Sequence, residues 1–397
     1  MKEHNTPIAE DGRRLGTVLQ VLPNLKGGGV ERGTIEMAGA LKAAGWTPVV
    51  ASAGGPMVHE LTRIGVRHIM LPAASKNPLV MHKNVKRLMR IIEQYDVDIV
   101  HARSRAPAWS ARAAARKSGK RFVTSFHAAY TRGGFFKNYY NSIMVRGERV
   151  IAISQFIAKH IVDNYKIDEN KLITIPRGVD YKKFNPAAIS AERIIKMAND
   201  WQLPDGVPIV MLPGRLTRLK GHELLIKALA QVETQNFLAL FVGGGSGREG
   251  YRKELNNLII ETGLEGKVQI KDYCSDMPAA MMLADVMVSA TQVPEGFGRV
   301  SVEAQAMGRP IIATAHGGSL ETVVDGETGW LVPVDDVQAM ADALQKALGM
   351  SASERETVAT KTRQHVIDHF TVEKMCAATI EVYEELLAEG EKGNLSE

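Results

Sequence analysis

Two carboxylates eight residues apart, Glu295 and Glu303, stand in the segment PEGFGRVSVEAQAMG at residues 294–308. Gly296, Phe297 and Gly298 follow the first, and the second falls inside a stretch with helical character. A helix that starts after such a loop offers unpaired amides near Val300 and Ser301 to phosphate oxygens. Glu303 can then accept bonds from the vicinal hydroxyls of a ribose, while Glu295 on the loop can reach a sugar ring. A second basic segment, PGRLTRLKGH at residues 213–222, carries Arg215 and Lys220 five residues apart. Arg215 as a bidentate fork and Lys220 as a point charge can converge on one diphosphate. The plain alternatives are a capped helix with acidic surface residues and a solvated basic loop.

A third segment, LPNLKGGGVE at residues 22–31, places Gly27, Gly28 and Gly29 before a helical pattern. Glycines let an anion approach the backbone, and the helix start supplies the positive end of its dipole. A merely flexible turn has the same composition, and the segment matches neither GxGxxG nor a P-loop. Two other motifs point elsewhere. Asp96-Val-Asp98 has the spacing of a metal-binding DxD but sits at the start of a strand, at the end opposite the expected ligand end. Residues 245–250, GSGREG, formally fit a dinucleotide fingerprint with Asp272 about 20 residues on, yet belong to the second strand–helix unit of their half.

The elements that must position these groups alternate. Short apolar runs at residues 17–22, 48–51, 68–71, 98–102, 121–126, 149–153 and 172–175 read as strands. Helical patterns at 31–44, 84–95, 107–117 and 155–165 lie between them. After a pause, runs at 208–213, 237–242, 267–270, 286–290, 310–314 and 329–332 repeat the scheme, with helices such as 223–231 and 299–307. The pattern predicts an α/β protein of two doubly wound parallel sheets, whose ligands sit beyond the carboxyl ends of the strands. The expected organisation is a polar tail at 1–14, a first domain at 15–186, a linker at 187–203, a second domain at 204–371 and a last helical segment at 372–397.

The 397 residues, 45% of them apolar and 23% charged, suffice for two domains with sizeable cores. Two cysteines, Cys274 and Cys376, without CxxC spacing argue against disulfides and structural zinc. A charged N-terminus and the lack of a long apolar run make the cytoplasm the expected compartment. Net charge is +5, but residues 1–199 hold 32 Lys and Arg against 15 Asp and Glu, and residues 200–397 hold 17 against 29. The basic half suits an anionic partner, with a solvated basic face as the alternative. No nucleic-acid module is recognisable, and none is expected to bind.

The Glu295…Glu303 pair, the GRLTRLKG segment, the GGVE turn at 28–31, IPRGVD at 175–180 and GGSLETVVDGETGWLVP at 317–333 together resemble the retaining family 4 glycosyltransferases, from about Leu15 to Val372. The resemblance implies the GT-B fold: two Rossmann-like domains facing a cleft, with the C-terminal helix crossing back to the first domain. It implies a GDP- or UDP-sugar donor and no metal or other cofactor. Arg215 and Lys220 would serve the diphosphate and Glu303 the ribose, with Glu295, Gly296, Phe297 and Gly298 at the donor sugar. Tyr273, Cys274 and Ser275 would lie near the base and Gly28 and Gly29 near the β-phosphate, while His127 matches a histidine beside the sugar. Glu295, His127, Arg215 and Lys220 are the expected catalytic set.

Where the family commonly has Asn-Gly-Val-Asp, this chain has Arg177-Gly178-Val179-Asp180. Arg177 is thus open to two readings, contact with an anionic acceptor or decoration of the hinge. Residues 101–109, HARSRAPAW, are similar to bacterial members that build lipopolysaccharide cores. This makes a glycan or lipid-linked acceptor at the inner face of the cytoplasmic membrane the expected partner. The competing readings are a sugar-nucleotide epimerase of the same fold and a non-catalytic scaffold.

Overall fold

A computed structural model describes residues 15–234, 236–244 and 249–394, with the side chains of 390–394 left aside. The expected tail at 1–14 and most of the GSGREG segment lie outside the described residues. The chain divides into two units, Met1–Arg177 with Val372–Glu397, and Gly178–Thr371.

The first unit holds seven parallel strands: β1 (Thr17–Val21), β2 (Thr47–Ser52), β3 (Arg67–Met70), β4 (Ile99–Ala102), β5 (Arg121–Phe126), β6 (Arg149–Ala152) and β7 (Leu172–Thr174). Their order is β3-β2-β1-β4-β5-β6-β7. Runs such as Val18–Leu19 and Val49–Ala51 are buried because helices cover both faces of a parallel sheet. Strand register sets Val18 opposite both Pro48 and Ile99. The order reverses between β1 and β4, so connections running toward β3 and those running toward β7 fall on opposite faces when all are right-handed. Helices Pro78–Gln94, Arg105–Lys117 and Phe135–Asn141 thus share one face. On the other, the helix Val372–Asn394 packs Met375, Tyr383 and Leu386 against Met37, Leu41 and Trp46.

The second unit repeats the scheme with β8 (Ile209–Pro213), β9 (Leu238–Val242), β10 (Val268–Lys271), β11 (Val286–Ser289), β12 (Ile311–Thr314) and β13 (Gly329–Val332), in the order β10-β9-β8-β11-β12-β13. Its core gathers Leu212, Phe241, Val288 and Ile312 from the sheet with Leu225 and Leu344 from the helices.

All thirteen strand expectations meet a strand, with each end shifted by a residue at most. Helix starts differ more. The helix expected at 84–95 runs over Pro78–Gln94, since the Asn77 side chain accepts from the Leu79 amide at 2.9 Å and Pro78 fits the first turn. The linker expected at 187–203 is not a free connection. Its helix, Ala191–Trp201, belongs to the second unit, tied by Arg193 to Asp276 at 2.7 Å and by Lys271 to the Trp201 carbonyl at 2.7 Å.

Candidate functional site

In the second unit the strand order reverses between β8 and β11, and the loops after these two strands carry the predicted residues. They are fastened together by backbone. The Gln292 amide donates to the Leu219 carbonyl at 2.9 Å, and Thr291 Oγ1 donates to the same oxygen at 3.1 Å. Gly221, left-handed at φ +70°, turns the first loop into the helix His222–Leu229, where a Cβ would meet the Ala290 carbonyl at 1.8 Å. Only glycine permits that approach.

This stapling brings Lys220 to Glu295, 75 residues away, as a direct ion pair with both side chains about a quarter exposed. Arg215, on the same loop, stays exposed. The donor-diphosphate lysine and the donor-sugar carboxylate of the sequence reading therefore neutralise one another in this state.

Beyond Glu295, Gly298 adopts φ +82° and opens the helix Arg299–Ala306 without a side-chain cap. The Ser301 amide donates back to the Gly298 carbonyl at 3.1 Å, so of the two amides expected to face phosphate this one is already engaged. Ser301 Oγ is buried with no partner among the described residues. Glu303 is 9% exposed and pairs with Arg299 one turn earlier on the helix. Phe297 is buried and meets Phe370 edge to face at 5.6 Å, fixing the middle of the loop.

Two supports escaped sequence reasoning. Gly317 and Gly318 lie directly under the Glu295 loop: the Gly318 amide donates to the Glu295 carbonyl at 2.9 Å, and a Cβ on Gly318 would stand 2.4 Å from Phe297 Cα. The glycine pair was visible as a motif, but not its role. His316 bonds through Nε2 to the Thr291 carbonyl at 2.9 Å. Burial lowers its pKa, opposed by that carbonyl and by the Glu295 carboxylate. No spacing signal links His316 to residue 291.

Tyr273, Cys274 and Ser275 follow β10, at the same end of the sheet but two strands from β8. Tyr273 is 86% exposed and Cys274 half-buried, its thiol pushed up by burial.

In the first unit, Gly28 at φ +138° precedes the helix Gly29–Ala43, and the Glu31 carboxylate sits 2.8 Å from where its Cβ would be. An acidic group thus occupies the positive end of that helix. His127 follows β5, and its Nε2 is buried with no partner among the described residues. Burial holds its pKa well below 6.5, reinforced by Arg103 and Arg177, so the ring is neutral. Arg177 is 5% exposed and donates to the Gly29 carbonyl at 2.5 Å. Its guanidinium fills the space that a side chain at Gly33 would need, with atoms 2.4–2.7 Å from that Cβ position. Neither reading of Arg177 anticipated this: it is a buried brace under the glycine turn. Asp98 likewise has a structural task, accepting from the Thr17 amide at 2.9 Å at the amino end of β1.

Two sheets of Rossmann type with basic and acidic loops at their reversal points define an α/β protein of the GT-B class. Family models described as "Glycosyl transferases group 1" and "Glycosyltransferase Family 4" match residues 194–365 and 27–183. A glycosyltransferase structure from Rickettsia africae ESF-5 is 40% identical, covering 94% of this chain and 99% of that one, with a TM-score of 0.87. The chain belongs to this glycosyltransferase family. Anabaena Alr3699/HepE, solved in complex with UDP and glucose, shares the fold at 22% identity and TM-score 0.81, covering 93% of this chain and all of its own. Among curated proteins, a D-inositol 3-phosphate glycosyltransferase of Salinispora arenicola (strain CNS-205) is 29% identical over 256 residues, 62% of this chain. The match spans 56% of that relative's length.

Proposed function

We propose that the protein transfers a sugar from a GDP- or UDP-sugar to a hydroxyl of a glycan or lipid-linked acceptor, with retention at the anomeric carbon and without a metal. The single observation that carries the reading is the pairing of Lys220 with Glu295 by two backbone-stapled loops at the β8/β11 reversal, with Arg215 exposed on the same loop as Lys220. Arg215 and Lys220 supply fixed positive charge where the departing diphosphate becomes negative. The bond from the anomeric carbon to the β-phosphate oxygen breaks, and the diphosphate leaves with the electron pair. The acceptor oxygen bonds to the same face, and its proton passes to the leaving phosphate. Glu295 orients the sugar, Glu303 holds the ribose, and residues 273–275 border the base. The named activities of the Rickettsia and Salinispora relatives support transfer as the reaction class.

The acceptor side is assigned to cell-envelope glycan synthesis, as in lipopolysaccharide, at an anionic membrane surface that the basic half of the chain would face. Among the described residues no helix is long and apolar enough to cross a membrane.

The test is thermal stabilisation with UDP, GDP, ADP, their sugars and NAD, with and without EDTA, repeated on Arg215→Ala and Glu303→Ala. A shift with one nucleoside diphosphate that survives EDTA and is lost in both variants is expected. A shift with NAD alone, or with none, overturns the donor site. Product analysis by NMR then separates transfer with retention from epimerisation.

A further inference from the structure

We infer that the face of the first unit built from helices Pro78–Gln94, Arg105–Lys117 and Phe135–Asn141 docks on an anionic lipid surface, with Phe135 and Phe136 entering the interface and the helix Pro78–Gln94 lying over headgroups. This deepens the membrane part of the reading above, and its test needs no sugar transfer.

Three observations converge. The first is a pair of large aromatics in water: Phe135 is 78% and Phe136 85% exposed, edge to face with each other at 5.8 Å, at the start of a helix reached through the exposed residues 131–134. Exposed phenylalanines at a loop tip contribute nothing to this unit's core, and a contiguous exposed apolar feature marks a contact site. The second is charge. Between residues 78 and 147 the chain carries fourteen Lys and Arg against three Asp and Glu. On the helix Pro78–Gln94, Lys83, Lys86, Arg87 and Arg90 are all exposed while Leu88, Ile91 and Ile92 are buried, so the cations form the outward stripe.

The third is that these features belong to one rigid layer. Ser110 Oγ donates to the Met81 carbonyl at 2.9 Å, joining the basic helix to the next. Trp109 stacks on Tyr139 at 5.0 Å and donates to the Tyr140 carbonyl at 3.3 Å, joining that helix to the one that begins with the two phenylalanines. The right-handed connections set all three on the same side of the sheet. Basic stripe and aromatic wedge are what an amphipathic surface binder presents to anionic lipid. A protein partner would have to match the same positive field, and is left as an outcome of the test.

The experiment is co-sedimentation of the full chain with vesicles of phosphatidylcholine alone or mixed 3:1 with phosphatidylglycerol, at 20 and 300 mM salt. Binding is expected to the mixed vesicles only, and to weaken with salt. Lys83→Gln/Lys86→Gln/Arg90→Gln is expected to reduce partitioning about 100-fold, at roughly fivefold per cation. Phe135→Ser/Phe136→Ser is expected to reduce it about tenfold or more with an unchanged melting temperature. The inference is overturned if the wild type stays in the supernatant at low salt, if neutral vesicles bind equally well, or if the double phenylalanine variant sediments like the wild type. It is also overturned if that variant binds vesicles normally but loses turnover of a soluble acceptor, which would assign the pair to acceptor recognition instead.

Discussion

The ion pair between Lys220 and Glu295 makes the two residues respond to substitution with opposite signs. In the free protein the ammonium is committed to the carboxylate, so under the proposed function an arriving diphosphate would have to compete for it. Two charges about 4 Å apart attract by about 4 kcal/mol at an effective dielectric near 20. Desolvation and side-chain ordering return most of this, and for a pair about a quarter exposed the net is about 1 kcal/mol. Glu295→Gln keeps the shape, removes the competing charge and frees Lys220, so nucleoside diphosphate should bind about fivefold more tightly. Turnover should nevertheless fall at least 100-fold, because the sugar loses its orienting carboxylate. Lys220→Met removes a charged hydrogen bond to the diphosphate worth about 1.5–3 kcal/mol, so binding should weaken roughly 10- to 150-fold. Titration calorimetry with the nucleoside diphosphate reads both. If Glu295→Gln weakens nucleotide binding as Lys220→Met does, the pair merely braces the loops and the competition argument is wrong.

Three further outcomes are expected. Gly221→Ala, with its Cβ 1.8 Å from the Ala290 carbonyl at φ +70°, should lower the melting temperature by the equivalent of about 3 kcal/mol and impair nucleotide binding together; a silent variant would show that the loops slide freely. Tyr383→Phe removes the hydroxyl that lies 2.5 Å from His101 Nδ1 in a fully buried site, which should cost about 1–3 kcal/mol by urea denaturation, while wild-type stability would mean that another partner takes its place. His222 is pushed down to about 4 by burial, and burial also drives His101 and His127 well below 6.5. Each is neutral when folded, so its contribution is complete above pH 6.5 and is lost as the unfolded chain gains protons below it. For His222 the loss reaches about 3 kcal/mol by pH 4, and a urea midpoint that stays flat from pH 7 to 4 would contradict it.

The sequence by itself determined the two sheets and the place of each strand along the chain. Runs such as VLQV, PVVAS and LALFV are short, apolar and separated by helical periods, and in a parallel sheet that pattern has one reading. It also singled out Arg215, Lys220, Glu295 and Glu303, because charges beside glycine turns and a helix start just past a strand's carboxyl end can meet a phosphate or a sugar. Only the tertiary structure decided which of these charges meet. Lys220 and Glu295 are 75 residues apart, and nothing local says that one loop's lysine neutralises the next loop's carboxylate. The same holds for Gly318 beneath Phe297, His316 against Thr291, and Arg177 beneath Gly33. It also assigned the polar helix Ala191–Trp201 to the second unit. Local propensity sets an element's type, whereas its partner is chosen by long-range packing, which one-dimensional periodicity does not encode.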